Sequence, residues 1–362
     1  MTNLEIVEKT SKILMDNTDW REAYERYANG INKNEEQHCN ASKFIKKKLP
    51  KNIGLLRIYS CINLVQKKTV EYDLRIYGQS VGSLKIQLNK SNTPTKAFIK
   101  ITPVQEKNNL EHLNLKTKAN PKRKPYEWES KEAQEIISSF VKYNGKDANM
   151  HSNEHKLETL VLHDLAKKQT KDGKALTYIQ PVKLGNIGFF QMRTPLSASR
   201  HTPDYPKYAM RTDGAAIGGG IDILARIMHK DNQWRLAIVE LKDENNSKEP
   251  QHIVMQQALV YSTFIAHLLR DKKCGNKWYN IFRNQEKDVV LDEKKTIDID
   301  VITMMPPRII GKSDTNVEGE LNPISVPDIN VTLHPATIYI DTDPNISEIN
   351  SISGSLLETK KL

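Results

Sequence analysis

Hydrophobic and polar positions change rhythm along this chain. Up to about residue 50 apolar residues recur near every 3.6 positions. Leu4, Val7, Ile13 and Leu14 predict one helix, and Asp19-Trp20-Arg21-Glu22-Ala23-Tyr24 predicts the start of a second, with Asp19 as its cap. From 51 to 103 the rhythm becomes alternation, in GLLRIYSCINLV, TVEYDLRIYG, GSLKIQLN and KAFIKIT. A period of two predicts half-buried strands, with a hairpin in the Gly78 to Gly82 stretch. Residues 105–125 keep neither rhythm: they are polar, contain prolines and end in Lys122-Arg123-Lys124-Pro125, the composition of a linker. WESKEAQEIISSFVK, over 128–142, returns to a helical pattern. No internal repeat is visible.

The order of elements between 150 and 305 narrows the fold. A helical stretch (NEHKLETLVLHDLAKK) precedes a strand candidate (KLGNIGFFQMR) and two strong strands, GIDILARIM and RLAIVELK, joined by the polar turn His229–Gln233. A helix then opens at Pro250, a favoured first-turn position, and TIDIDVITMM follows as a strand. This α-β-β-β-α-β order predicts an α/β or α+β sandwich around one mixed sheet. The expected organisation is a basic, helical and mostly-β module over 1–104, a linker over 105–125, an α/β domain over 126–310, and a C-terminal extension over 311–362. The extension carries one strand, VTLHPATIYID, and a mobile tail.

Composition removes several classes. A chain of 362 residues suggests two domains, each able to bury a core without disulfide or metal. No apolar run approaches the roughly 20 residues that span a bilayer, so no membrane partner is expected. The start, MTNLEIVEKTSKIL, places acids in its first apolar stretch, which does not read as a signal peptide. Cys39, Cys61 and Cys274 are too few and too scattered for a disulfide framework or a four-cysteine cluster, so a reducing cytoplasm is expected. Net charge is +10, but unevenly spread. Residues 41–125 hold 19 Lys+Arg against 4 Asp+Glu, while the other 277 residues sum to −5. Such a block suits a polyanion, most often nucleic acid, or is simply a lysine-rich solvated face; charge alone does not choose.

RLAIVELK holds the first chemical anomaly. Leu236, Ile238, Glu240 and Lys242 share one face and Ala237, Val239 and Leu241 the other, so a doubly covered strand ends in a carboxylate and an ammonium roughly 6–7 Å apart. The preceding strand places Asp222 between Ile221 and Ile223. Carboxylates on two apolar strands need a compensating cation, and Mg²⁺, which keeps much of its water shell, suits two of them. Taken alone, Glu-x-Lys is more often the polar exit of a strand. Gln257 and Tyr261, four apart on the following helix, supply an amide and a hydroxyl on one face. His151, His155 and His163 flank the first helix without a fourth zinc ligand, and Gly218 to Gly220 lack the Gly-Lys-Ser/Thr of a phosphate loop.

Asp222, then Glu240-Leu241-Lys242, then Gln257 to Tyr261 resembles the D…E-x-K…Q-x-x-x-Y pattern of PD-(D/E)XK nucleases, particularly their RecB-like branch. The predicted element order is similar to that family's restriction-endonuclease-like αβββαβ core. The resemblance covers about 150–305 and leaves 1–125 unassigned. It implies Mg²⁺- or Mn²⁺-dependent hydrolysis of DNA phosphodiesters, in DNA processing or restriction of foreign DNA. It also implies metal coordination by Asp222 and Glu240, water activation by Lys242 and substrate positioning by Gln257 and Tyr261. A further family acid on the first core helix matches Glu158, in a stripe with Val161, Leu162 and Leu165; Glu154 is the competitor. Gly220-Ile221 stands where many members have proline, and the cysteines of the iron–sulfur members are missing, so no cluster is expected. Cutting both strands would favour a homodimer. The rival expectations are a catalytically silent nucleic-acid-binding protein on the same fold and an interaction protein with a merely solvated basic face.

Overall fold

In a computed structural model of the chain, the structure describes residues 1–47, 49, 53–61, 68–101, 125–142, 153–165, 176, 178–185, 187–198, 205–229, 233–243, 250–283, 289–307, 321–344, 346, 348–354 and 356. Nearly all of the expected linker, with Lys122-Arg123-Lys124, lies outside these residues, as do His151 and the end of the expected tail.

Two helices open the chain. α1 (Asn3–Asp16) begins in a capping box: the Thr2 hydroxyl accepts the Glu5 N–H and the Glu5 carboxylate accepts the Thr2 N–H. α2 (Asp19–Lys46) starts without a side-chain cap. The N-cap position falls to Thr18, and Asp19 is the first helical residue, its carboxylate accepting from the Tyr208 hydroxyl instead of from its own helix.

β1 (Arg57–Ser60), β2 (Thr69–Ile76), β3 (Gln79–Leu88) and β4 (Pro94–Lys100) lie where alternation predicts strands, although β1 buries Arg57, Ile58 and Tyr59 in succession. β2 buries Val70, Tyr72, Leu74 and Ile76, and turns Glu71, Asp73 and Arg75 outward. Its hairpin closes earlier and tighter than expected. Tyr77 and Gly78, at φ 50° and 70°, form a two-residue turn with Ile76 opposite Gln79, and Gly82 lies within β3 opposite Leu74. Positive φ at both loop residues matches the twist of the flanking strands. β5 (Tyr126–Glu127) edges β4, and α3 (Lys131–Lys142) follows.

α4 (Asn153–Asp164) and β6 (Ile179–Pro181) begin the run of mixed elements. The strand expected from KLGNIGFFQMR is split. Gly185 turns there at φ 62°, leaving β7 (Lys183–Leu184) and β8 (Gly188–Phe189), and β8 pairs in parallel with β1. These residues therefore join the first sheet, in the order β5-β4-β3-β2-β1-β8-β7, and β6 takes the place expected for them. β9 (Leu196–Ser197) and β10 (Lys207–Tyr208) form a small ribbon.

The second sheet is built by β11 (Ile223–Met228), β12 (Trp234–Leu241), β13 (Ile297–Met305), β14 (Ile324–Ser325), β15 (Val331–Thr342) and β16 (Ile349–Gly354), with β6 at its edge. Its order is β14-β15-β13-β12-β11-β6, with β16 beside β15. β11 lies antiparallel to β6 and β12, whereas β13 lies parallel to β12 and β15. α5 (Gln251–Leu269) and α6 (Gly275–Arg283) supply the crossover that the parallel β12–β13 pair requires. β15, expected in an appended C-terminal extension, is an interior strand, in register with β13 from Ile297–Val331 to Met305–Tyr339.

Both faces of the second sheet are covered. Leu224, Ile238, Ile299 and Val301 pack with α1, α2 and α5; Ala225, Val239, Leu241 and Ile302 pack with Leu157, Leu160 and Val161 of α4. Ile6, Val7 and Leu14 of α1 are fully buried against this core, contributing about 1.5–3 kcal/mol each. Ala41 and Ile45, near the other end of α2, belong to the core of the first sheet. One helix thus enters both cores, and residues 1–46 do not segregate with the strands that follow them. Among the described residues this is a mixed α/β protein with six helices and two mixed seven-stranded sheets, and no helix is long and apolar enough to cross a membrane.

Candidate active site

The β11–β12 register sets Ile223 opposite Val239, which carries Asp222 to the level of Glu240. Asp222 arrives there through a ribbon that depends on glycine. Ile221 N–H donates to the Met192 carbonyl (3.0 Å) and Gly219 N–H to the Leu196 carbonyl (2.8 Å). The buried Thr194 gives both its N–H (2.9 Å) and its hydroxyl (3.1 Å) to the Gly219 carbonyl. A Cβ at Gly218 would lie 2.2 Å from the Leu196 oxygen, and one at Gly219 would lie 1.8 Å from the Tyr261 hydroxyl. Gly220, by contrast, has nothing within 4 Å of an added Cβ. The glycine run is therefore a close-packing device that seats Asp222 and Tyr261 together.

Asp222 is half-buried as a residue, and its Oδ2 accepts the Leu241 N–H at 2.8 Å. Lys242 Nζ donates to Glu240 Oε1 at 3.1 Å and stands 3.7 Å from Glu154 Oε1. Glu240 and Lys242 are only 6% and 8% exposed, so this charge sits where charge is costly. Burial, then the neighbouring Glu240 and Glu154 carboxylates, push the Asp222 carboxyl well above the usual carboxylate range, against the pull of Lys242 and the Leu241 N–H. For Lys242, burial acts to lower the pKa, but Glu240, Glu154 and Asp222 together outweigh it and hold the ammonium protonated. Three carboxylates around one ammonium leave an excess of negative charge.

Tyr261 reaches the same cluster from α5. Burial, then Glu240 and Asp222, push its hydroxyl above the usual range, so it remains a neutral phenol able to donate. Gln257 lies one turn earlier on the same helical face and is half-buried. Its neighbour Gln256 serves the fold, accepting from the Tyr205 hydroxyl (2.6 Å) and donating to the Met1 carbonyl (2.6 Å).

The two candidate acids of α4 have different partners. Glu158 does sit on the apolar side of α4, but its Oε1 accepts from the Tyr59 hydroxyl at 2.6 Å and its Oε2 stands 3.6 Å from His155 Nδ1. It is Glu154, one turn earlier, that reaches Lys242. The burial of Glu158 is explained by a phenol 99 positions away in the chain, a partner that helical periodicity cannot reveal. The Glu158 hydrogen bond raises the pKa of His155, against the effect of burial. Tyr59 and Thr194 escape sequence reasoning entirely, since a buried Tyr in an alternating strand and a lone Thr look like ordinary core.

Asp222 and Glu240 are the residues that could hold a divalent ion, with Glu154 as a third carboxylate near Lys242. Among the described residues no three His, Cys, Asp or Glu side chains converge into a complete metal cage. Two carboxylates that repel each other fit Mg²⁺, which is seldom held by protein ligands alone and brings water of its own. A scan against protein-family models, a search of curated proteins and a search of solved structures each return no match to this chain.

Proposed function

We propose that this chain is a metal-dependent nuclease of PD-(D/E)XK type, with a restriction-endonuclease-like core in the second sheet, that hydrolyses DNA phosphodiesters. The observation that carries the reading is the meeting of Asp222, Glu240 and Lys242 at the ends of two paired strands, with the Tyr261 hydroxyl packed against Gly219, three residues before Asp222. An E-x-K at the solvated end of a strand would need none of this; here both charged residues are buried and an acid from the neighbouring strand stands level with them.

Asp222 and Glu240 would hold Mg²⁺ or Mn²⁺, which when bound supplies a Lewis acid toward a phosphoryl oxygen. Lys242, fixed by Glu240 and kept protonated, presents positive charge where negative charge develops on phosphorus-bound oxygens and can orient a water through its remaining protons. The Tyr261 hydroxyl donates to a phosphate oxygen or that water, and Gln257 would orient the strand. The basic strands over 51–103 would hold DNA by counterion release. The fitting biological setting is DNA processing or restriction of foreign DNA.

The test is incubation of the purified chain with linear and circular DNA, with Mg²⁺ and with EDTA. Metal-dependent cleavage lost in Asp222→Ala and Lys242→Ala is the expected result. Salt-sensitive DNA binding without cleavage at any metal concentration would instead identify a silent binding protein.

A further inference from the structure

Beside the acid cluster a cleft of about 550 Å³ opens between the first sheet and the glycine ribbon, lined in part by Tyr59, Asp73, Arg75, Ser83, Arg193 and Gly220. It is joined to the candidate active site through Gly220, which is bridged to Arg193 and lies two residues before Asp222; on its other side the Tyr59 hydroxyl holds Glu158 at 2.6 Å. The cleft is basic, in contrast to the acids it adjoins. Its carboxylate, Asp73, has both oxygens engaged, by Arg75 Nε (2.5 Å) and by the Ser80 hydroxyl (2.5 Å). Arg75 is fixed further by the Gln191 amide oxygen (2.8 Å) and by the Tyr59 ring, whose centroid lies 4.3 Å from its guanidinium carbon. Arg193 is exposed and has no ion pair among the described residues. The outward face of β2–β4 continues from the cleft with Lys85, Lys96 and Lys100.

We propose that this cleft seats one nucleotide of an unpaired DNA strand, its phosphate gripped by Arg193 and Arg75, with the neighbouring phosphodiester at the acids. The proposal rests on the nuclease reading and adds the substrate class. The guanidinium fork of Arg193 matches a phosphate in two-point geometry, and Arg75, whose Nε and Nη1 are held by Asp73 and Gln191, adds the protons of its Nη2 while losing little freedom on binding. The volume falls in the range of pockets for small ligands, which suits a nucleotide and not a duplex. The Asp73 charge, already paired, would not repel the phosphate as a free carboxylate would.

The experiment is fluorescence anisotropy of a labelled single-stranded oligonucleotide and its duplex in EDTA, where no cleavage occurs. Arg193→Ala is expected to weaken single-strand binding roughly tenfold and to lower the salt slope by about 0.7, with Arg193→Lys recovering part. Gly220→Asp, whose Cβ has open space, is expected to lose similar affinity at unchanged melting temperature. In cleavage assays Arg193→Ala should raise KM with kcat retained. Folded Arg193→Ala and Gly220→Asp proteins that bind the single strand like wild type overturn the proposal, as does an equal loss on duplex. If wild type cuts DNA while those variants bind normally, the cleft assignment alone fails. If the variants lose single-strand binding but wild type never cuts, the cleft stands and the nuclease reading fails.

Discussion

The outward face of β2–β4 and the end of β12 both carry charged side chains, but at very different cost. Lys85 and Lys96 are about half exposed and pair with Glu71 and Glu127 across the surface, where an ion pair contributes little. Glu240 and Lys242 are almost wholly buried, next to Asp222, where burial and then the neighbouring carboxylates raise the Asp222 carboxyl despite the Lys242 ammonium. Solvated charge is cheap and so says little about chemistry beyond a taste for polyanions. Buried charge of mismatched sign persists only where something else compensates it, which makes the smaller group the more informative one.

That contrast breaks most sharply in cleavage. Lys242→Ala and Asp222→Ala should each lower metal-dependent DNA hydrolysis at least 10²-fold, with single-strand affinity in EDTA within a factor of about two. A triple Lys85, Lys96 and Lys100→Gln variant should do the reverse, weakening binding while saturating cleavage stays near wild type. Rates and titrations on the three variants decide it, and parallel losses of cleavage and binding in all of them would collapse the distinction.

A second effect separates adjacent glycines. Gly219→Ala drives a methyl against the Tyr261 hydroxyl and should cost about 1–3 kcal/mol, seen as a lower melting temperature together with reduced cleavage. Gly220→Ala should melt like wild type.

Asp222→Asn keeps an acceptor for the Leu241 N–H and is neutral at every pH, so above the ordinary carboxylate range the metal-free variant should gain on the order of 1 kcal/mol over wild type in a denaturant titration. Because the folded-state pKa of Asp222 is raised, the native chain holds this proton where the unfolded chain has released it. Metal-free stability should therefore fall as pH rises from the ordinary carboxylate value to the raised one, and this slope should shrink in the Asn variant. Mg²⁺ should raise the wild-type melting temperature increasingly across the same window. A flat pH response in both proteins would remove Asp222 from the cluster.

The smallest change is expected on the basic face. Each Lys→Gln there should alter folding stability by no more than about 0.5 kcal/mol, while lowering the single-strand salt slope by about 0.7 for every phosphate left without its lysine.

Much of the candidate site was legible because its signals are local. Alternation in RLAIVELK assigned Glu240 and Lys242 to one face and Val239 and Leu241 to the other, and those faces do enter different cores. The Asp222 strand, the α5 helix and the placing of Tyr261 on it followed from pattern in the same way. The long-range partners were not legible. Glu158 was preferred over Glu154 because it shares the apolar stripe of its helix; its carboxylate accepts from a phenol of β1, while Glu154 stands 3.7 Å from Lys242. KLGNIGFFQMR was expected in the core sheet, but its β8 segment pairs with β1. VTLHPATIYID was set in an appendage, yet β15 lies against β13 through nine matched residues.

Periodicity, turn chemistry and charge spacing are properties of a few consecutive residues, so the sequence by itself determined five of the six described helices, though not α6, the longer strands and the face on which Glu240 and Lys242 lie. Strand partners and the companions of a buried acid are chosen by segments far apart in the chain, where the burial available on both sides decides. Only the tertiary structure could therefore bring Asp222 level with Glu240, set Glu154 beside Lys242 and Glu158 against Tyr59, and open a basic cleft nearby.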